Sequence, residues 1–201
     1  MIITSGDNDA SLVYVRNKIK RCKEIGIYPI VKHLHELTDQ DVAENCAENK
    51  PIIFQMPMNG EVGPYDITRY IDPMCDVDGF ASKVNVAALA NGETPYNYPC
   101  TPKGIIRLLE ANGVALSGKT VCVIGRSNIV GRPIARMMEQ ADATVTLCHS
   151  KTPQHELYRY VGSSDIIVSA TGYRNTLTFN AMEHYGEFVP LGRQAFVDGG
   201  M

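Results

Sequence analysis

Residues 121–133 read VCVIGRSNIVGRP, and this stretch decides the fold class of the chain. Val121–Ile124 is typical of a buried strand, Gly125 marks a turn, and an apolar helical face follows from Ile129. In a strand, glycine turn and helix of this kind, the free amides at the helix N-terminus face the turn and suit a pyrophosphate. The stretch therefore predicts a dinucleotide-binding loop. Its glycine spacing departs from GxGxxG, so a purely structural turn is the alternative.

Strands and helices alternate from this stretch onward. The predicted strands are Thr120–Ile124, Thr144–Cys148, Ile166–Ala170 and Ala195–Val197, and the predicted helices are Ile129–Gln140, Pro153–Tyr160 and Thr178–Tyr185. Such alternation is typical of a parallel sheet with right-handed crossover helices. The segment therefore predicts a Rossmann-like domain.

The same alternation occurs upstream of the loop. The predicted strands are Ile2–Thr4, Tyr28–Leu34 and Ile52–Phe54, and the predicted helices are Asp9–Glu24, a helix from a Thr38–Asp41 capping box to near Asn49, and shorter pieces at Tyr65–Ile71 and Val84–Ala90. Thr101 is predicted to cap a further helix that has Pro102 in its first turn and Gly113 just past its end. We therefore predict a two-domain α/β protein, with one domain at residues 1–100, a connecting helix at 101–113 and the Rossmann-like domain at 114–201.

The composition argues against several classes of protein. The 201 residues carry a formal net charge of −3 and no long basic run, so we do not expect a nucleic-acid partner. Six cysteines without a CxxC pair predict reduced thiols and no metal site. No segment approaches the roughly 18 apolar residues of a membrane span, and the N-terminus is too polar for a signal peptide. We expect a cytoplasmic protein that binds a small molecule and no membrane.

The end of the strand after the loop indicates which dinucleotide is bound. An NAD-selective site places a carboxylate there to bind the ribose hydroxyls, whereas Thr144–Cys148 is followed by His149 and Ser150. A carboxylate would repel a 2′-phosphate, while Arg126 and Ser150 are able to donate hydrogen bonds to it. The residues therefore favour NADP. In the alternative explanation, His149 and Ser150 only cap the following helix.

Further residues belong to the predicted cofactor site by their place in the loop or at a strand end. Thr171 and Gly172 follow the third strand of the domain, where glycine permits close approach of the backbone to a nicotinamide. Turns after strands also use glycine routinely, so each glycine alone is a weak signal. The complete predicted cofactor site is Gly125, Arg126, Ser127, Ile129, Val130, Gly131, His149, Ser150, Thr171 and Gly172.

Several motifs in order resemble one family. They are YVRNKIK at residues 14–20, FQMPM at 54–58, DVDGF at 76–80, PCTPKG at 99–104, GRSNIVGRP at 125–133 and TVTLCHSKT at 144–152. Together they resemble the bifunctional methylenetetrahydrofolate dehydrogenase/methenyltetrahydrofolate cyclohydrolase family. The resemblance implies an N-terminal α/β catalytic domain that binds folate, followed by a Rossmann-like, parallel-sheet NADP domain. It also implies oxidation of 5,10-methylenetetrahydrofolate with NADP and hydrolysis of the methenyl product to 10-formyltetrahydrofolate, in one-carbon metabolism and purine biosynthesis.

The resemblance assigns catalytic roles to four residues. Lys18 matches the family's catalytic lysine, which shuttles protons in the cyclohydrolase step. Tyr14 stands one helical turn away on the same face and would stack on the folate. Gln55 matches the glutamine that hydrogen-bonds this lysine, and Asp78 matches the aspartate that accepts hydrogen bonds from the pterin ring. Tetrahydrofolate derivatives are therefore the expected substrates.

Each of these four residues also has an ordinary structural explanation. Apart from the family, Lys18 is typical of a surface lysine at the edge of an apolar stripe, and Tyr14 of an aromatic residue packed against Phe54. Gln55 is then a polar residue at a strand end. Asp78 is then the first residue of an Asx turn before a glycine.

The chain departs from the family pattern in a few places. Cys75 stands where the family usually has lysine, and Ala81-Ser82 replaces a histidine-proline pair after DVDGF, while Asn85 is kept. The family's leading helix and closing tail have no counterpart here, so we expect apolar surface to be covered by another chain. The family's usual homodimer is the first expectation.

Three interpretations of the function follow from these observations. The chain is a compact active enzyme, a degenerate NADP- or folate-binding protein that acts by sequestration or as a subunit, or an incomplete gene product without stable activity. A Rossmann reductase for another substrate is an enzymatic rival, but it does not account for the four folate-site residues. A kinase is disfavoured because the sequence has no GxxxxGK[ST] loop.

Overall fold

The computed structural model of the chain describes residues 1–6, 9–56, 58–60, 67, 70–79, 82–172, 176–177 and 195–198. The chain divides into two compact units, Met1–Ala88 with Thr94–Asn97 and Leu89–Glu93 with Tyr98–Met201. Each unit contains its own parallel sheet. The prediction of a two-domain α/β protein is therefore confirmed.

The first unit is built on a three-stranded parallel sheet. Its elements are β1 (Ile2–Ser5), α1 (Asp9–Glu24), β2 (Val31–Leu34), α2 (Asp39–Ala47), β3 (Ile53–Phe54) and α3 (Lys83–Asn91), whose last residues belong to the second unit. The strand order is β2-β1-β3, which places β1 at the centre. Ile3 and Phe54 lie opposite each other in β1 and β3 and form a core with Leu37, Val42 and Ile67.

The second unit is built on a four-stranded parallel sheet. Its elements are α4 (Cys100–Ala111), β4 (Thr120–Ile124), α5 (Gly131–Gln140), β5 (Thr144–Cys148), α6 (Gln154–Gly162), β6 (Ile166–Ser169) and β7 (Ala195–Asp198). The strand order is β5-β4-β6-β7. Among the residues that the structure describes, no helix combines the length and the apolar character needed to cross a membrane.

Both faces of the central strand β4 are buried, and its residues from Val121 to Ile124 are all apolar. Val121 and Val123 point to one face and pack with residues of α4 and α5, among them Leu109 and Ile134. Cys122 and Ile124 point to the other face and pack with Cys148, Val161 and Ile167. The helix predicted as a connector, α4, therefore contributes to the core of the second unit.

Several elements begin one to three residues away from the predicted positions, and three of these differences have a visible cause. β2 begins at Val31 rather than Tyr28, because its ladder with β1 starts at the pair Ile2 and Val31. The helix α4 begins at Cys100, since the amide of Lys103 donates to the carbonyl of Pro99 at 3.0 Å. Thr101 therefore lies inside the first turn and does not cap the helix, so that prediction is wrong.

The third difference concerns α5, which begins at Gly131 rather than Ile129. The hydroxyl of Ser127 accepts hydrogen bonds from the amides of Val130 (3.2 Å) and Gly131 (3.4 Å), which holds the preceding residues in a turn. The Thr38–Asp41 capping box and the position of Gly113 just past α4, at φ 71°, are confirmed. Most of the predicted helix Tyr65–Ile71 and all of the predicted helix Thr178–Tyr185 lie outside the described residues.

Candidate functional site

Lys18 and Asp78 form an ion pair in the first unit. Helix α1 carries Tyr14 and Lys18 one turn apart, and Lys18 Nζ lies 3.7 Å from Asp78 Oδ2. The two side chains are 32% and 14% exposed, so the pair is partly shielded from solvent but open on the lysine side. Tyr14 is 48% exposed, which leaves its ring available to a ligand rather than packed in the core. The structure thus brings together two of the four predicted folate-site residues.

Gln55 directly follows β3 and is only 7% exposed. Its Nε2 donates to the carbonyl of Met56 at 2.8 Å, whereas its Oε1 is buried and has no hydrogen-bond partner among the described residues. The predicted hydrogen bond between Lys18 and Gln55 is not formed among these residues, and the lysine is paired with Asp78. Gln55 therefore presents a buried carbonyl oxygen that is still able to accept a bond.

A buried carboxylate, Asp76, shapes the loop that carries Asp78. Asp76 is completely buried and accepts hydrogen bonds from the amides of Gly79 (2.9 Å) and Ser82 (2.7 Å) and from Asn85 Nδ2 (3.2 Å). The amide of Gly79 therefore donates to Asp76. The Asx turn given as the alternative explanation of Asp78 would use the amide of Phe80, which lies outside the described residues.

Two asparagines extend this network. Asn85 Oδ1 accepts a hydrogen bond from the amide of Tyr96 at 3.0 Å, and Asn97 Nδ2 donates to the carbonyl of Asp76 at 2.9 Å. The sequence did not single out Asp76 or Asn97 as functional, since the DVDGF motif contains two aspartates and nothing in it distinguishes the buried one. The retained Asn85 was the only signal that pointed to this network.

Two positions in the phosphate loop accept only glycine, because a Cβ there would overlap the backbone. A Cβ on Gly125 would lie 2.3 Å from the carbonyl oxygen of Ala170, and Gly125 has φ 114°. A Cβ on Gly131 would lie 2.0 Å from the carbonyl oxygen of Gly125. The first turn of α5 is therefore packed directly on the turn after β4, in the geometry that favours a phosphate at the helix N-terminus.

The remaining loop residues have different surroundings. Arg126 and Ser127 are exposed, while Ile129 is partly buried and Val130 is 4% exposed and packs in the core of the second unit. The Val130 side chain therefore faces away from a ligand. Arg126 is the residue of this loop whose charge is free to reach an anion.

His149 and Ser150 follow β5 and lie in a tight turn. The amide of His149 donates to Thr152 Oγ1 at 2.9 Å, and His149 Nδ1 accepts from the amide of Lys151 at 3.1 Å. The helix α6 has Pro153 as its N-cap and receives no side-chain capping bond. The alternative in which His149 and Ser150 cap this helix is therefore wrong, and the exposed Ser150 hydroxyl is left at the edge of the sheet.

The predicted cofactor residues meet at the carboxyl edge of the second sheet. The amide of Gly125 donates to the carbonyl of Cys148 at the end of β5 (2.9 Å), and the amide of Ala170, after β6, donates to Ile124 (2.8 Å). Thr171 follows β6 with its hydroxyl 2.7 Å from that of Thr176, and Gly172 takes φ 68°. Ligands of open parallel sheets bind at this edge.

Comparison with known proteins identifies the family of each unit. A model of the catalytic domain of tetrahydrofolate dehydrogenase/cyclohydrolase matches residues 1–78, which include Tyr14, Lys18, Gln55 and Asp78. A model of the NAD(P)-binding domain of the same enzymes matches residues 99–194. This chain belongs to the tetrahydrofolate dehydrogenase/cyclohydrolase family. The family predicted from the sequence motifs is thereby confirmed.

Individual members of the tetrahydrofolate dehydrogenase/cyclohydrolase family are similar to this chain in sequence and structure. The bifunctional protein FolD of Burkholderia cenocepacia is 39% identical over 198 residues, which cover 95% of this chain and 68% of the relative. The crystal structure of FolD from Campylobacter jejuni is 32% identical with a TM-score of 0.84, covering 99% of this chain and 80% of that one. FolD of Trypanosoma brucei in complex with NADP and an inhibitor is 32% identical with a TM-score of 0.79, covering 86% of this chain and 60% of that one.

Proposed function

We propose that this chain is a cytoplasmic enzyme that oxidises 5,10-methylenetetrahydrofolate with NADP and hydrolyses the methenyl product to 10-formyltetrahydrofolate. The observation that carries the proposal is the ion pair of Lys18 and Asp78 at 3.7 Å. A cation able to move protons and a carboxylate able to bind a pterin are adjacent in the unit that the family's catalytic-domain model matches. The buried Asp76 accepts hydrogen bonds from amides that follow Asp78 and so stabilises the loop that carries this carboxylate.

The dehydrogenase step asks the chain to bind and orient the folate. Hydride leaves the one-carbon bridge, and the lone pair of the bridging nitrogen stabilises the resulting cation, so no general base is required. In the proposed pose, the Asp78 carboxylate accepts hydrogen bonds from the pterin and the exposed Tyr14 ring stacks on it. NADP, when bound, supplies the hydride acceptor.

The cyclohydrolase step needs a proton carrier. Water adds to the methenyl carbon and releases one of its protons to solvent, and its second proton moves to the departing nitrogen as the carbon–nitrogen bond opens. Lys18 Nζ is assigned this transfer. While Asp78 is engaged by the pterin, Gln55 Oε1 offers the lysine a neutral acceptor that orients it without fixing its charge as a carboxylate would.

The residues of the second unit fit the phosphates of NADP. Gly125 and Gly131 allow the turn after β4 and the first turn of α5 to pack closely, because a Cβ on either glycine would overlap a backbone carbonyl oxygen. No carboxylate follows β5, where His149 and Ser150 stand instead. Arg126 and Ser150 would hold the 2′-phosphate through hydrogen bonds, and the backbone of Gly131 would face the pyrophosphate.

We also propose that two copies of the chain associate as a homodimer. Among the described strands, β5 lies at the edge of its sheet, and Leu147 on it is 37% exposed. An unpaired edge with an exposed apolar residue is a ready template for pairing with a second chain. Sedimentation equilibrium is expected to give twice the mass of one chain, and Leu147→Lys is expected to lower it; a monomer at all concentrations would contradict the proposal.

The proposed reactions are tested by following absorbance of the reduced cofactor and formation of 10-formyltetrahydrofolate. We expect turnover with 5,10-methylenetetrahydrofolate and NADP and much slower turnover with NAD. Thermal denaturation with each ligand accompanies the assay, because a ligand that binds only the folded chain raises its melting temperature. Stabilisation by NADP without turnover of the folate would contradict the proposed activity, and no stabilisation by either ligand would contradict both binding sites.

A further inference from the structure

Two buried side-chain oxygens in the described part of the first unit have no hydrogen-bond partner. Among the described residues, the buried side-chain atoms without a hydrogen bond are Thr4 Oγ1, Gln55 Oε1 and Arg136 Nε, of which the last lies in the second unit. Thr4 is 2% exposed and Gln55 is 7% exposed. An unpaired polar group in the interior costs free energy, so two of them in one place call for a physical explanation.

The two side chains are neighbours across the sheet. β1 and β3 are parallel with Ile3 opposite Phe54, and the amide of Gln55 donates to the carbonyl of Ile3 at 2.8 Å. This bond continues the register by one residue and places Thr4 opposite Gln55. Since opposite residues share a face and neighbouring strands lie about 5 Å apart, both side chains enter the same space.

The side-chain amide of Gln55 has only one workable orientation. Its Nε2 donates to the carbonyl of Met56 at 2.8 Å, and a carbonyl only accepts, so a flipped amide would set two oxygens against each other. Oε1 is therefore the atom that needs a donor. Two nearby serine hydroxyls already have acceptors, as Ser5 donates to Asn59 at 2.9 Å and Ser11 to Met56 at 3.3 Å.

We propose that Thr4 is a positioning residue for the cyclohydrolase reaction, whose hydroxyl donates to Gln55 Oε1 and thereby aims the second lone pair of this oxygen at Lys18. The inference rests on the proposed function for the roles of Gln55 and Lys18. A carbonyl oxygen has two lone pairs, so one bond from Thr4 leaves the other for the lysine ammonium.

A stability cycle tests the bond without reference to activity. Thr4→Val removes the hydroxyl at constant shape, Thr4→Ser keeps it, and Gln55→Leu removes the acceptor. We expect Thr4→Val to lower the denaturant midpoint in the unmodified chain but not in the Gln55→Leu background. If Thr4→Val has the same effect in both backgrounds, or raises the midpoint as removal of an unpaired hydroxyl would, the bond does not exist.

Kinetics test the positioning role. We expect Thr4→Val to lower the cyclohydrolase kcat by about threefold to tenfold, the effect of one lost hydrogen bond, and to shift its pH–rate profile. Thr4→Ser is expected to restore both, and the dehydrogenase kcat is expected to stay unchanged. Ile2→Val is the matched control, since it removes a buried methyl group from the same face of β1 and leaves Gln55 untouched.

The outcomes separate this inference from the function on which it rests. An unmodified chain without cyclohydrolase activity would overturn the proposed function and the positioning role together, while the stability cycle would still decide whether the bond exists. An active chain in which Thr4→Val keeps the full rate and the same pH profile would overturn the positioning role alone.

Discussion

At the scale of single residues, the Asp78 loop depends on the buried carboxylate of Asp76. Three N–H groups, from Gly79, Ser82 and Asn85, converge on this carboxylate. Because all three bonds are buried, the loop is held in one conformation by interactions that solvent cannot replace. The position of Asp78 beside Lys18 is a consequence of this arrangement.

The first prediction is that Asp76→Asn lowers stability and weakens folate binding. The new amide sets its own N–H groups against one of the converging donors, and we expect a loss of about 1–3 kcal/mol in the free energy of unfolding. The KM for 5,10-methylenetetrahydrofolate should rise while the Kd of NADP stays the same. Asp72→Asn is the control, because Asp72 is exposed and its carboxylate accepts a hydrogen bond from the amide of Met74 at 2.8 Å in the same loop. Equal effects of the two substitutions on KM would contradict the role of Asp76.

A second residue-scale prediction concerns cofactor choice. Arg126→Gln removes the charge proposed to bind the 2′-phosphate, and we expect the Kd of NADP to rise by about tenfold or more, the effect of losing a charge-assisted hydrogen bond. The Kd of NAD, which has no 2′-phosphate, should hardly change. Calorimetric titration of both dinucleotides measures this, with Arg107→Gln on α4 as the control. A parallel loss for NADP and NAD would mean that Arg126 does not recognise the 2′-phosphate.

At the scale of elements, the phosphate loop depends on the close contact between the turn after β4 and the start of α5. Gly131→Ala would place a Cβ 2.0 Å from the carbonyl oxygen of Gly125, so the helix must move away from the turn. We expect a lower denaturant midpoint and loss of measurable NADP binding. Gly104→Ala is a matched control within α4, where a Cβ meets nothing within 4 Å and alanine is expected to stabilise the helix by up to about 1 kcal/mol. Retained NADP affinity in Gly131→Ala would contradict the loop geometry.

The capping box of α2 gives a prediction with a pH dependence. Thr38→Ala is expected to cost about 1 kcal/mol near neutral pH, because Thr38 and Asp41 satisfy each other's backbone amides. The hydroxyl and amide bonds from Thr38 hold the pKa of Asp41 below its usual value. At pH values above that usual pKa, the carboxylate is ionised and stabilises the helix. This contribution is lost as the pH falls through the lowered pKa.

Denaturation at several pH values measures this effect. The stability difference between Thr38→Ala and the unmodified chain should shrink as the pH falls below about 4. Gln40→Ala, in the same exposed turn of α2, should show no comparable pH dependence. A difference for Thr38→Ala that stays constant from neutral to acidic pH would contradict the contribution of the Asp41 carboxylate.

Most elements could be predicted from the sequence because their apolar pattern follows directly from their place in a sheet. The central strands β1, β4 and β6 are nearly continuous runs of buried residues, whereas the edge strand β2 alternates in exposure. The starts of α4 and α5 were not predictable, since they depend on local hydrogen bonds accepted by Pro99 and Ser127. Propensity alone places a helix start only to within a residue or two.

At the scale of the whole molecule, the sequence indicated two α/β units and the family, and the structure contributed the pairings within each unit. Parallel strands bring together residues far apart in sequence, such as Thr4 and Gln55, and the sequence contains no signal for this register. The same is true of the ion pair between Lys18 and Asp78. Burial of Asp76 was equally hidden, because a carboxylate is ordinarily expected at the surface.

The proposed function depends most directly on the role assigned to Lys18. The decisive measurement is the cyclohydrolase rate of Lys18→Met beside that of Lys20→Met, an exposed lysine on the same helix. We expect Lys18→Met to abolish hydrolysis of the methenyl compound while NADP binding, measured by fluorescence or calorimetry, is retained, and Lys20→Met to behave as the unmodified chain. An unchanged cyclohydrolase rate in Lys18→Met would contradict the proposed function at its centre.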